Sequence, residues 1–395
     1  MYLRSKRFAA LGVAVATALA ALTGASVTQS AVRKGPPPMP ANLKHVLAQV
    51  KGKSLAKREA ILYNQAKKEG TVNWYTTLSK TIGPDVVKAF EAKYPGVKVD
   101  MYRASSEAVT ARLYQEASAG ATGADVVETN GTELLFMQHR KNILVPYRQS
   151  PYAKWIAPLH RYDTWTADRI EAFITAWNTN LVKSGEQPKS WRELGTSKWA
   201  GKIAMEPGDV DWWAAAYQSL ESQAYSRLSP KPKTKKARLQ ALKKIDGGLD
   251  QLWRAISKNA QIVSGHTTQA TLLAAGQFAL CVSCHAQSIE ALQMEGAPIS
   301  FKPWAAPAVI RAQGVALPYR LAHPAAAVLF YDWLLRKDGG QKALLDGGAN
   351  PARIDMTDPQ LSGGPRINMN LRPIVSHYKK WLDRYDALMQ LGSKK

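Results

Sequence analysis

Strand-like and helix-like segments alternate along most of the chain, and this alternation constrains the fold more than any other feature. Residues 72–75 alternate apolar and polar side chains as a strand does, residues 83–94 have helical spacing, and residues 97–101 form the next predicted strand. Residues 124–127, in which only Asp125 is polar, are typical of a short buried strand. Strand, helix and strand in repeated succession predict an α/β fold with a mainly parallel sheet flanked by helices.

The same succession returns in the second part of the chain. Further strand-like segments lie at residues 170–176, 202–205, 261–263, 278–282, 308–310 and 314–317. The last two can rejoin the first set, so we predict two lobes joined by two crossover strands. Lobe I comprises residues 61–170 and 312–348, and lobe II comprises residues 171–311 and 349–395. Because open α/β sheets bind ligands at the carboxyl ends of their strands, a cleft is expected between the lobes.

The N-terminus has the three-part pattern of a secretory signal peptide. Three basic residues precede an apolar stretch from Phe8 to Leu22, and small residues follow it. The stretch is shorter than the roughly 20 residues of a membrane-spanning helix. We predict a signal peptide over residues 1–25, a Pro-rich linker and N-terminal helical extension over residues 26–60, and export to the periplasm.

The chain is strongly basic, with 53 Lys and Arg against 30 Asp and Glu and a formal net charge of +23. Such a charge attracts anions and anionic surfaces but does not define a fold. The basic stretch from Lys231 to Arg238 contains no interleaved aromatic residue, so it predicts a solvated loop and helix face rather than a nucleic-acid site. No catalytic triad, phosphate loop or nucleotide fingerprint stands out, and we predict a protein that is not an enzyme.

Cys281, Cys284 and His285 have the CxxCH spacing that attaches haem c, and this motif leaves several interpretations open. It can be the end of a strand and the start of the next helix, with no cofactor. The two thiolates and the imidazole can bind a metal ion such as zinc or copper. The motif can hold haem in an electron-transfer protein. In an oxidising compartment the two cysteines can also form a disulfide.

Five segments in order resemble the periplasmic solute-binding proteins of ABC importers, the branch that includes the ferric-binding proteins. They read AKKEG at residues 66–70, FEAKYPGV at 90–97, GADVV at 123–127, WNTN at 177–180 with KWAGKI at 198–203, and HPAAA at 323–327. The resemblance implies a two-lobe periplasmic-binding-protein fold that closes around one small molecule or ion. It also implies delivery to a membrane permease, and we expect a monomer.

The resemblance also implies which residues bind the ligand. They lie in loops after predicted strands and at the starts of the following helices: Thr76, Thr77, Ser79, Ser105, Ser106, Glu128, Asn130, Gly208, Asp209, Asp211, Trp212, His285 and Gln287. His266 is expected on a surface loop, with a place in the cleft as the alternative.

The chain departs from the ferric-binding pattern, which leaves the ligand open. The two tyrosine positions of ferric-binding members are Ala286 and Gln287 here, and the usual His and acidic partners are Ser79 and Asn130. A ferric or other metal ion therefore remains only an alternative. Asp209, Asp211, Trp212 and Trp213 favour a cationic or polyhydroxylated ligand. The helix-start serines and the positive net charge favour an anion.

Overall fold

The computed structural model describes residues 39–356 and 361–389, all of which lie within one compact unit that begins at Pro37. The predicted signal peptide and most of the predicted linker lie outside these residues. Among the described residues, no helix has the length and apolar character needed to cross a bilayer.

Fourteen α-helices, three single-turn 3-10 helices and eleven strands are formed by the described residues. The helices are α1 Ala41–Val50, α2 Leu55–Glu69, α3 Ile82–Lys93, α4 Ser106–Ala119, α5 Gly131–Gln138, α6 Trp191–Leu194, α7 Val210–Ser226, α8 Lys235–Asn259, α9 His266–Ala274, α10 Ala286–Met294, α11 Pro324–Leu334, α12 Gly340–Asp346, α13 Leu371–Ser376 and α14 Tyr378–Met389. The strands are β1 Thr71–Thr76, β2 Lys98–Arg103, β3 Val126–Asn130, β4 Trp165–Asn178, β5 Ile203–Met205, β6 Ala260–Ile262, β7 Leu280–His285, β8 Ile299–Ser300, β9 Ala308–Ala316, β10 Asn350–Pro351 and β11 Arg366–Asn368.

The strands form one sheet, whose central path runs β2-β1-β3-β9-β4-β7-β5-β6. At one end β1 pairs in parallel with both β2 and β3, and at the other end β5 pairs in parallel with both β6 and β7. These two parallel sets are the sheets of the two lobes. The predicted two-lobe α/β fold is thereby confirmed.

Two long antiparallel strands, β4 and β9, connect the two parallel sets. Residues 165–173 of β4 pair with residues 309–316 of β9, and residues 313–316 of β9 also pair with β3 in lobe I. The second half of β4 pairs with β7 and β8 in lobe II. The two strand-like segments at residues 308–310 and 314–317 are thus essentially one strand, because polar Arg311 and Gln313 interrupt its apolar pattern without breaking it.

A β-bulge in β4 sets the direction of the side chains at the middle of the crossover. Ala167 pairs with Gly314 and Arg169 pairs with Gln313, so Asp168 is the extra residue between them. Gly314 is required beside the bulge because a Cβ there would lie 2.3 Å from Cε3 of Trp165. The bulge places Arg169 opposite Gln313 and leaves the Asp168 carboxyl fully buried.

The N-terminal helical extension is an integral part of the fold. Ser54 caps α2 by accepting from the backbone N–H of Lys57, and Gly70 ends the helix in the left-handed conformation. The Glu69 carboxylate accepts from the backbone N–H groups of Ala325 and Ala326 at the start of α11 (3.0 and 2.7 Å). A carboxylate at a helix N-terminus is stabilised by the unpaired N–H groups there.

A buried ion pair also joins α2 to α11, and its loss should destabilise the protein. Arg58 Nε lies 2.7 Å from Asp332 Oδ2, and Arg58 also donates to the Tyr147 hydroxyl (2.8 Å). Arg58→Met leaves the Asp332 charge buried without its cation, so we expect a loss of about 3–5 kcal/mol of unfolding free energy. Urea denaturation measures it. Lys379→Met, which breaks the exposed Lys379–Asp383 pair, is the control and should cost less than about 0.5 kcal/mol. Equal effects of the two variants would contradict this role of Arg58.

Candidate functional site

A cleft of about 640 Å³ lies at the middle of the crossover strands. It is lined from both sides, by strand ends and helix starts of the two lobes together with the crossover strands themselves. The lining residues on which the following description depends are Thr77, Ser79, Arg103, Ser105, Ser106, Glu107, Asn130, Thr132, Glu133, Arg169, Glu171, Glu206, Gly208, Asp209, Asp211, His266, His285, Gln287, Arg311, Gln313 and Tyr378.

Four polar residues of β4 and β9 form the floor of the cleft. Arg169 lies opposite Gln313, and Glu171 lies opposite Arg311 in the antiparallel register. Residues two apart on a strand share a face, so all four side chains point to the same side. The Gln313 amide donates to Glu171 Oε2, and Arg169 lies 3.7 Å from the same carboxylate oxygen.

A second carboxylate beneath the floor fixes Arg169. Glu128 on β3 is fully buried and accepts from Arg169 Nε at 3.0 Å and from the Thr76 hydroxyl. The Arg169 guanidinium also donates to Thr77 Oγ1 at 3.2 Å. Burial opposes the charge on Arg169, but Glu128, Glu171 and Asp168 raise its pKa. Arg169 is therefore a fixed cation of the floor.

Asp211 at the start of α7 connects the two sides of the cleft. Its Oδ2 accepts from the Thr132 hydroxyl of α5 at 2.8 Å and lies 3.3 Å from the Arg311 guanidinium. Arg311 also lies over the ring of Phe173, 4.6 Å from its centroid. Because α5 belongs to lobe I and α7 to lobe II, the Thr132–Asp211 hydrogen bond links the lobes across the cleft.

Two histidines form a stacked pair on the lobe II wall. The rings of His266 and His285 are 3.6 Å apart, His266 Nε2 lies 3.3 Å from Asp209 Oδ1, and His285 Nδ1 lies 3.1 Å from Glu171 Oε1. Burial lowers the pKa of His266, but Asp209, Glu206 and Glu171 raise it more, so the net shift is upward. Burial, followed by the charges of His266, Arg311 and Arg169, lowers the pKa of His285 well below its usual range. The neighbouring carboxylates therefore favour the charged form of His266, whereas burial keeps His285 neutral.

Two glutamates of the cleft hold their protons more tightly than usual. Burial is the first cause for both, and the neighbouring carboxylates add to it. The pKa of Glu133 on α5 rises to about 7, with Arg311 acting against the rise and Asp211 adding to it. The pKa of Glu206 is also raised, although the charge of His266 opposes the change.

Most of the residues expected to bind a ligand line this cleft. Those the structure brings together are Thr77, Ser79, Ser105, Ser106, Asn130, Gly208, Asp209, Asp211, His285 and Gln287. Thr76 and Glu128 lie beneath the surface, where they bind each other and hold Arg169. His266 lies in the cleft rather than on a surface loop, because it is the first residue of α9 and pairs with Asp209.

Trp212 packs in the hydrophobic core and does not line the cleft. Its ring lies against Trp253 and Trp191, with centroid distances of 5.7 and 6.3 Å. Trp213 is also buried and packs against Trp253, Tyr217 and other aromatic rings of the core. The expected stacking of either indole on a ligand is therefore wrong.

Sequence reasoning missed the residues of the floor. Arg169, Glu171, Arg311 and Gln313 lie in strands rather than in loops after strands. A signal was present, because Ile170, Ala172 and Ile174 mark one face of β4 and leave Arg169 and Glu171 on the other. The sequence alone does not tell which residue of β9 lies opposite which residue of β4. It therefore could not show that these four side chains share one face of the sheet.

The CxxCH stretch lies within β7, and its two cysteines form a disulfide. Both are fully buried in a second hydrophobic cluster, with Ile174, Ala204 and Ile289 among its members. Sulfurs that are bonded to each other and shielded from solvent do not fit haem attachment or thiolate ligation of a metal. His285 faces the other way, into the cleft. Among the described residues, no group of three or more His, Cys, Asp or Glu is arranged to hold a metal ion.

Residues 75–341 match the model of the bacterial extracellular solute-binding protein family. No curated protein matches the sequence. Among solved structures, the fold is similar to iron-bound HitA from Pseudomonas aeruginosa (16% identity, TM-score 0.63, 80% of this chain and 99% of that chain). It is also similar to the periplasmic binding protein AfuA from Actinobacillus pleuropneumoniae with fructose-6-phosphate bound (19%, 0.62, 82% and 99%). The ferric binding protein from Campylobacter jejuni is a third (21%, 0.62, 80% and 99%).

The disulfide gives a direct chemical test. Because Cys281 and Cys284 are the only cysteines, purified protein denatured without reductant should show no free thiol, and reduction should release two. Thiol titration with Ellman's reagent measures both values. A Soret band that survives acid-acetone extraction would contradict the disulfide and establish haem attachment.

The raised pKa of Glu133 should make stability depend on pH. The folded protein holds this proton up to about pH 7 while the unfolded chain loses it near pH 4.5, so the free energy of unfolding falls as pH rises through this window. Glu133→Gln removes that loss and should be more stable than the wild type at pH 8, by about 1–3 kcal/mol, and similar at pH 5. Urea denaturation at both pH values measures the difference. Glu107→Gln makes the same charge change at an exposed position of the rim, and an equal pH-dependent gain in both variants would refute the assignment.

Proposed function

The chain belongs to the bacterial extracellular solute-binding protein family, and we propose that it captures one small solute in the cleft by closure of its two lobes. In this proposal the protein acts as a monomer in the periplasm and delivers the solute to the membrane permease of an ABC importer. It binds the solute without transforming it.

The observation that carries the proposal is the position of the cleft on the crossover strands. Its floor is made by β4 and β9, the strands that connect the two parallel sets, while its walls come from α4 and α5 on one side and α7, α9 and α10 on the other. Hinge motion of two connecting strands changes the separation of such walls. A solute held by both walls would therefore stabilise the closed arrangement.

The Thr132–Asp211 hydrogen bond supports closure as the binding step. It joins α5 to α7 across the cleft at 2.8 Å and leaves Asp211 in contact with Arg311 on the floor. A bond of this kind forms only when the walls approach each other. Its free energy adds to that of the solute contacts in the closed arrangement.

A ferric ion is the second candidate, since two of the similar structures are an iron-bound protein and a ferric binding protein. The two positions that correspond to the tyrosines of ferric-binding members do not favour it. Ala286 is buried, and the Gln287 amide donates to the backbone carbonyl of Gly348 at 2.8 Å. The proposal therefore does not include iron.

The test is compaction on binding. Protein purified gently from its own periplasm should carry a solute detectable by native mass spectrometry, and small-angle scattering should show a smaller radius of gyration with the solute than after its removal. Thr132→Val should weaken rebinding about three- to tenfold, because one net hydrogen bond contributes about 0.5–1.5 kcal/mol. Thr164→Val removes a buried hydroxyl that donates to Gln138 Oε1, away from the cleft, and should leave rebinding unchanged. Absence of any retained solute together with absence of compaction would refute the proposal.

A further inference from the structure

The cleft carries the opposite charge to the chain as a whole. The chain has 53 Lys and Arg against 30 Asp and Glu. The cleft is lined by the carboxylates of Glu107, Glu133, Glu171, Glu206, Asp209 and Asp211 and by the guanidinium groups of Arg103, Arg169 and Arg311. Six acids therefore face three guanidinium groups and His266, whose pKa is raised, where the solute would lie, although bases dominate the sequence. Such a local excess has to be matched by the partner that fills the site.

The cations of the cleft are already engaged by the protein. Arg169 pairs with Glu128 at 3.0 Å, Arg311 lies 3.3 Å from Asp211, and Arg103 Nε donates to the backbone carbonyl of Leu78 at 2.9 Å. Burial opposes the charge on Arg311, yet its pKa is raised by Asp211, Glu171, Asp209 and Glu133, four carboxylates around one guanidinium. Arg169 and Arg311 therefore balance the protein's own acids, while Arg103, at an exposed position of the rim, is held by a backbone carbonyl.

Several cleft residues carry polar atoms that lack a hydrogen-bond partner among the described residues. They are Asp209 Oδ2, Gln313 Oε1, Glu133 Oε2, His285 Nε2 and Arg311 Nε. Asp209 and Gln313 are only 4% and 2% exposed. Buried polar groups in native proteins are nearly always paired, so these atoms point to a missing ligand. Gln313 Oε1 and the Asp209 carboxylate oxygen accept hydrogen bonds, Glu133 accepts as a carboxylate once it loses its proton above about pH 7, and Arg311 Nε donates.

His285 belongs to the accepting set. Its Nδ1 lies 3.1 Å from Glu171 Oε1, so the proton of the neutral ring resides on Nδ1, where it donates to the carboxylate. Nε2 then presents a lone pair. Asp209, Gln313 and His285 thus present three accepting atoms, against the single donor Arg311 Nε among the cleft atoms named above.

Ser105 and Ser106, which favoured an anionic ligand in the sequence, are already hydrogen-bonded within the protein. Ser105 Oγ accepts from the backbone N–H of Ala108 at 3.3 Å as the cap of α4, and Ser106 Oγ accepts from the Asn130 amide at 2.7 Å. Both hydroxyls therefore support the start of α4. Asp209 Oδ2, Gln313 Oε1 and His285 Nε2 make no such hydrogen bond among the described residues.

We infer, on the basis of the proposed role as a solute-binding protein, that the solute is an organic cation whose ammonium or guanidinium N–H groups donate to Asp209, Gln313, Glu133 and His285. Each contact to an ionised carboxylate is a charge-assisted hydrogen bond, which is shorter and stronger than a neutral one. The cation also balances the excess of carboxylates around Arg311. The cleft volume of about 640 Å³ fits a small amine or a polyamine.

Matched small molecules separate charge from shape in the test. The amine probes are putrescine, spermidine and agmatine. 1,4-Butanediol and succinate have the four-carbon length of putrescine without charge and with negative charge, and tetramethylammonium is a cation without N–H donors. Inorganic phosphate, fructose-6-phosphate and ferric citrate complete the set. We expect at least one amine to raise the melting temperature and to reduce the radius of gyration, and none of the other probes to do so.

Two variants test the residues. Asp209→Asn and Glu133→Gln keep the side-chain shape and remove one carboxylate each, and both should weaken binding of that amine at least tenfold by isothermal titration calorimetry at pH 8, where Glu133 is ionised. Asp100→Asn makes the same change on exposed β2 and should leave the affinity unchanged. Circular dichroism and the melting temperature of each free variant show that the fold is kept.

The outcomes separate this inference from the proposed function. Compaction with phosphate, fructose-6-phosphate, succinate or ferric citrate, or an anionic solute in the periplasmic preparation, overturns the cation and leaves the solute-binding role intact. Equal binding of putrescine and tetramethylammonium overturns the role of the accepting atoms. No shift with any amine also overturns the inference. Failure of every probe together with an empty periplasmic preparation overturns the proposed function itself.

Discussion

The pairing of β4 with β9 is the constraint on which the rest of the structure depends. These strands lie antiparallel at the centre of a sheet whose two ends are parallel, so they join the sheet of one lobe to the sheet of the other. Their register also decides which side chains face the cleft. The bulge at Asp168 shifts that register by one residue, and Arg169 lies opposite Gln313 as a result.

The same pair joins the fold to the chemistry of the site. Arg169 and Arg311 place two cations at the middle of the crossover, and each is held by carboxylates from other elements, Glu128 on β3 and Asp211 on α7. A charge buried without such a partner is costly, so the acids and bases of the floor stabilise one another. The accepting atoms without a hydrogen-bond donor among the described residues lie on this floor and beside it. They define the part of the cleft that a solute can use.

Local signals in the sequence predicted the elements and the general place of the site. Apolar spacing located β1, α3 and β2, and Ser105, one of the serines expected at a helix start, caps α4. Ligand-binding loops after strands were predictable because open α/β sheets bind at strand ends. Interactions between residues that are far apart in the sequence could not be predicted. Glu128 is buried because Arg169 lies beside it, and Trp212 turns inward because Trp253 and Trp191, on other helices, pack around it. The CxxCH spacing could not show that its sulfurs are bonded to each other on the side of β7 away from His285.

The contrast between a basic exterior and an acidic interior affects how a cation arrives. At long range a solute encounters the field of the chain's positive net charge, which repels a positive ion, and only inside the cleft do the nearby carboxylates dominate. Dissolved ions screen the distant field more than the short contacts within the walls, because the Debye length is about 8–10 Å at physiological ionic strength. Moderate salt therefore lowers the barrier to encounter. The positive net charge therefore slows the association of cations with the protein. The carboxylates inside the cleft make the binding free energy of a cation more favourable.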